Sequence, residues 1–94
     1  MMNNQRLLKK EINHLINEII DDCYSYQMYH PTKDPEGVTN IIDDSVDLLN
    51  DLVTRVNHTR NIQDKAEKKQ YFRAIKKDLD DKRLNLMQRL NKLG

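Results

Sequence analysis

Two pairs of carboxylates in this chain are spaced for chemistry. Glu18 and Asp21 form an ExxD pair, and Asp44 and Asp47 form a DxxD pair further on. Residues three apart share a helix face, so each pair sets two carboxylates side by side. A turn that folds one helix back on the other would bring all four acids together. Such a cluster can hold a divalent cation, orient a pyrophosphate and activate water. The competing reading is that acidic pairs are common on wet helix surfaces, as caps and salt links.

The stretch DDCYSYQMYHPTKDPEG, residues 21–37, gathers further reactive types: the only cysteine, three of the four tyrosines and both prolines. Cys23 has no CxxC partner, and Asp21 and Asp22 oppose formation of its thiolate. It continues an apolar line with Ile16, Ile19 and Ile20, which reads as structural burial. Tyr24, Tyr26, Tyr29 and His30 invite a ligand pocket. Their spacing is also that of rings packing at a helix end, with Tyr26 on the apolar line and Tyr29 sealing the bundle. His14, His30 and His58 lack zinc-ligand spacing.

The bases offer a third chemistry. Lys69, Arg73, Lys76 and Lys77 cluster within one helical stretch and can meet a nucleic-acid backbone without reading bases. Acids interleave with them at Asp78, Asp80 and Asp81. There is neither a zinc finger nor a helix-turn-helix signature.

Two resemblances follow from these residues. The carboxylate pairs resemble those of all-helical nucleotide pyrophosphohydrolases, which would imply magnesium-dependent hydrolysis. The dense glutamate pattern of that group and a nucleotide motif are missing here. Length and helix number are similar to those of chorismate-mutase-like intertwined dimers. That resemblance would ask Lys10, Arg55, Lys69 and Arg73 to converge on a dianion, and it rests on architecture alone. Neither carries residue roles over.

The elements that position these groups are helices. The chain has 94 residues, 37% hydrophobic and 33% charged, with only two glycines and two prolines. A turn-rich β fold is excluded on that composition, and a chain this short builds only a thin core. A single cysteine cannot form an intrachain disulfide, so a reducing compartment is the default. No apolar run reaches the roughly 18 residues of a membrane span, and no signal-peptide core follows the start. The expectation is a cytoplasmic protein that needs no membrane or cofactor.

Helical periodicity predicts three segments, at about 4–29, 36–58 and 65–92. Leu8, Ile12, Leu15, Ile19 and Tyr26 mark the first, with Asn3 or Asn4 as its cap. Asp34-Pro35 suits a cap and first helical position for the second. There Val38, Ile42, Ser45, Leu49, Leu52 and Val56 recur, broadened by Ile41, Leu48 and Val53. Asn61 or Asp64 can cap the third. Its line runs through Phe72, Ile75, Leu79, Leu86, Leu90 and Leu93, widened by Leu84 and Met87 and interrupted by Lys82. The stretch VNHTRNIQD lacks glycine and proline, so a long helical hairpin with fused second and third segments is the alternative.

The predicted fold is therefore all-α: one antiparallel three-helix bundle over residues 1–94, completed by homodimerisation. Its stripes are broad for a thin monomer. Charge is segregated too: residues 34–59 hold six acids and one base, whereas residues 60–94 hold eleven bases and five acids. Such segments can pair within the fold or across a dimer. The leading functional expectation is a non-enzymatic self-association and protein-interaction module. Its core or interface is expected at Ile12, Leu15, Ile19, Leu49, Leu52, Phe72, Ile75 and Leu79. The alternatives are the metal-dependent hydrolase on Glu18, Asp21, Asp44 and Asp47, and the backbone-directed nucleic-acid binder on Lys69, Arg73, Lys76 and Lys77.

Overall fold

A computed structural model describes residues 4–93 and shows an all-α bundle. The elements are α1 (Asn4–Tyr29), α2 (Pro35–His58), a short 3-10 turn (Thr59–Asn61) and α3 (Lys65–Leu93). The capping expectation for Asn3 lies outside the described residues, as does any account of the Asn4 side chain.

The first corner is built by Asp34. Its backbone sits in the left-handed region (φ 47°, ψ 56°), which aspartate tolerates better than most residues. Its carboxylate accepts a 3.0 Å hydrogen bond from the Gly37 N–H, and Pro35 opens α2 without wasting a donor. The capping carboxylate occupies the space where a side chain at position 37 would begin. A Cβ there would lie 2.7 Å from Asp34 Cγ, so glycine lets the cap approach. Glu36 in the first turn of α2, and Arg55 and His58 in its last, match the helix dipole.

The second corner breaks the chain after His58. The fused helix of the long-hairpin alternative, roughly 80 Å if unbroken, is thus not formed. Thr59 is buried at the break and stabilises it. Its hydroxyl donates to the Val56 carbonyl and accepts a 2.7 Å hydrogen bond from Gln5 Nε2. Asp64 then starts α3, its carboxylate accepting from the Ala66 N–H at 3.0 Å.

The Gln5–Thr59 bond shows that α2 runs back antiparallel along α1. Leu8, Ile12, Ile16, Ile19 and Cys23 of α1 meet Val38, Ile41, Leu48, Leu52 and Val56 of α2 in the core. Ser45, also buried, satisfies its hydroxyl by donating to the Ile41 carbonyl at 2.7 Å. Ile41 and Leu48, rather than Ile42 and Leu49, thus carry the central line of α2. Each fully buried aliphatic side chain contributes about 1.5–3 kcal/mol of transfer free energy.

The third helix is held more lightly. It buries Ile75, Leu79 and Leu86. Arg55 donates to Asp78 and Arg89 to Asp44, each at 2.7 Å, and the Tyr26 hydroxyl donates to the Leu93 carbonyl at 2.8 Å. Lys82 stays exposed on the apolar line, whereas Arg83 is half-buried with its Nε shielded from water. Leu84 and Met87 do not widen the core; Leu84 is 56% exposed. Nine residues past Ile75 is half a turn out of phase, which puts Leu84 on the outer side.

The result is a rod, 51 × 19 × 15 Å over its Cα atoms, with a radius of gyration of 15.4 Å. A compact chain of this length would measure about 12 Å. No helix among the described residues is long and apolar enough to cross a membrane.

Candidate functional site

The two ion pairs to α3 orient α2 about its axis. Asp44 and Arg55 face α3, on one edge of the buried line. At about 100° per residue, Ile42, Val46, Leu49 and Val53 fall about 160° around α2 from them. Helix α1 is oriented the same way by Tyr26, which reaches α3, and by Asp22, which shares a cleft with Leu90. Ile20 and Tyr24 fall on its far side. The α1–α2 hairpin therefore has two flanks, one covered by α3 and one carrying an apolar stripe.

This stripe is half-open to water. Val46 is 40% exposed and Tyr24 55% exposed, while Ile20, Ile42, Leu49 and Val53 are half-buried against the core. Amides and hydroxyls border it at Asn13, Asn17, Thr39, Asn50 and Asn57, and charges flank its ends, with Arg6, Lys9 and Lys10 toward one and Asp21 and Asp43 toward the other. An apolar centre with a polar rim is the composition of a protein interface.

Of the sequence-predicted interface or core residues, Ile12, Ile19, Leu52, Ile75 and Leu79 are buried inside the bundle. Leu15, Leu49 and Phe72 are half-buried and pack against that core. Leu49 alone among the eight belongs to the stripe. Val46, Ile42 and Ile20 had the same periodicity as core residues, so their outward flank was visible only once α3 was placed.

The four carboxylates proposed for a metal do not form a cage. Among the described residues, no three His, Cys, Asp or Glu side chains stand close enough to hold an ion. Glu18 instead pairs with His14 at 3.1 Å, and Asp44 accepts from Arg89. Asp21 and Asp47 are exposed on outward faces. The physical reason is rotational: Glu18 and Asp21 point away from α2, whose core-facing edge their neighbours Ile19 and Cys23 occupy.

Lys69, Arg73, Lys76 and Lys77 share the outer side of α3, all exposed. Lys10, also exposed, lies on α1, and Arg55 is committed to Asp78 and Asp51. Lys10, Arg55, Lys69 and Arg73 therefore do not converge on one point.

Asp22, Ser25, Tyr26, Tyr29, His30, Leu90 and Asn91 line a cleft of about 530 Å³ between α1 and α3. It is open-sided. Tyr29 does not seal the bundle, being 78% exposed. Tyr26 and His30 pack as tilted rings with centroids 4.9 Å apart, which accounts for both rings structurally. Cys23 is buried beside this region. Burial first, and then the Asp22 carboxylate, push its thiol up; the Arg89 guanidinium opposes them. A protonated, enclosed thiol is a packing group rather than a nucleophile. No protein-family model, no curated protein and no solved structure matches this chain.

Proposed function

We propose that this protein is a helical self-association module that works through the stripe formed by Ile20, Tyr24, Ile42, Val46, Leu49 and Val53. The carrying observation is the half-open apolar flank of the α1–α2 hairpin, opposite α3. Its physical basis is burial of apolar surface against a second hairpin, with the polar rim excluding water around it. The surface of the chain supports this reading. It exposes 6704 Å², against roughly 5,700 Å² for a monomeric globular protein of its mass. The elongated shape accounts for such an excess, and a rod of this length has room for the roughly 800 Å² per partner that a stable interface hides.

The function is assembly rather than turnover. Binding through the stripe needs no metal, cofactor or reactive side chain. Analytical ultracentrifugation of Val46→Asp against the parent tests the proposal. In a two-fold contact the substitution places a carboxylate in each half of the apolar interface, so the dimer should weaken at least about a hundredfold. The circular dichroism of the monomer should stay helical, because Val46 is outside the core. Equal association of the two proteins would overturn the proposal.

A further inference from the structure

The fold carries the segregation of charge seen along the sequence into the two ends of the rod. The half nearest the 59–64 corner comprises residues 4–16 and 48–84. It carries thirteen basic and seven acidic side chains, a net of +6. The half nearest the 30–34 corner comprises residues 17–47 and 85–93. It carries three basic and eight acidic side chains, a net of −5. The rod thus has a positive pole and a negative pole. The apolar stripe lies between them, on α2 from Ile42 to Val53.

From this bipolar rod, and resting on the self-association proposed above, we infer that the occupant of the stripe is a second copy of the chain turned antiparallel about a two-fold axis. Two copies laid parallel would set +6 beside +6 and −5 beside −5. Turned end for end, each positive pole lies along the other copy's negative pole, and the two stripes still meet. A two-fold contact needs a surface complementary to itself, and this flank supplies both requirements: an apolar middle and ends of opposite sign. Lys10 lies at the positive end of the flank, on the outer edge of α1. Asp21 and Asp43 lie at the negative end, on the outer edges of α1 and α2, and all three are exposed. With the axis near the middle of the stripe, Lys10 of each copy comes over the acidic end of the other. The ends set the direction and speed of pairing, while the apolar middle supplies most of the affinity.

Cross-linking reads the orientation directly. Thr39 and Asn57 are both exposed and stand eighteen residues apart, five turns of α2, so they share the stripe's border at opposite ends. Thr39→Cys and Asn57→Cys are made separately in a Cys23→Ala background, their helicity and sedimentation are checked, and the two are mixed and oxidised. The antiparallel pair predicts a dominant mixed disulfide and little of either self-linked product. Self-linked products in excess, or a sedimenting dimer without preference for the mixed product, overturn the orientation but leave self-association standing. Monomers at every concentration overturn both. As a second reading, Lys10→Glu should weaken the dimer about tenfold at low salt, and Lys10→Glu with Asp43→Lys should recover most of that loss. A double variant no better than the single one counts against the charge-directed pairing.

Discussion

The two flanks of the α1–α2 hairpin begin with similar material and end differently. On one, α3 lies across the helices, latched by Arg55–Asp78 and Arg89–Asp44 and stapled by Tyr26 to Leu93. On the other, Ile42, Val46, Leu49 and Val53 make a stripe as regular as the core line, yet no helix among the described residues covers it. The covered flank borders on charges that find partners within the chain. The open flank borders on amides and hydroxyls along its middle and on exposed charges at its ends. An apolar centre inside a polar rim marks a surface suited to association.

Substitutions should separate the two roles. The largest effect is expected at Leu52, which is fully buried where the flanks share one core. Leu52→Ala should cost about 2–5 kcal/mol of stability in urea denaturation, through lost transfer energy and a residual cavity. A loss below about 1 kcal/mol would mean that the hairpin core is looser than its burial indicates. Next comes the corner that sets the hairpin. Asp34→Ala removes the cap on Gly37 and leaves a Cβ-bearing residue without a local hydrogen bond at positive φ. It should cost about 1–2 kcal/mol, whereas Asp34→Asn should keep most of the cap. Equal losses for the two would show that the charge, not the cap geometry, matters. The smallest effect belongs to the covered flank. Arg89→Met breaks the exposed pair with Asp44 and should cost only about 0.2–1 kcal/mol. It should leave sedimentation unchanged; a shifted dimer equilibrium would show that the flanks are not independent.

Much of this architecture was legible from particular residues. Asp34-Pro35 signals the second helix because its cap and first-turn chemistry are local, and Asp64 signals the third likewise. The all-α class follows from apolar spacing at threes and fours. The central line of α2 was harder. Ile41 and Ile42, like Leu48 and Leu49, are adjacent apolar pairs about 100° apart on the helix. Periodicity admits either member, and the choice depends on where α1 and α3 sit. The stripe is what remains once that choice is made. The carboxylate pairs misled for a related reason: spacing places two acids on one face but does not say which way the face points. The bipolar rod was only partly legible, because its negative pole joins five of the six acids of residues 34–59 to three more from α1, Glu18, Asp21 and Asp22, which only the folded hairpin brings together.

The most direct test of the proposed self-association through the stripe is a methyl NMR titration of the intact protein, recorded as its own concentration is raised from about 1 µM to about 1 mM, spanning association free energies of about 8 to 4 kcal/mol. The methyl signals of Ile20, Ile42, Val46, Leu49 and Val53 should shift or broaden together, while those of Ile75 and Leu79 on the buried face of α3 stay in place. Stripe signals that hold constant across that range, or a shift confined to the outer side of α3, would contradict the account.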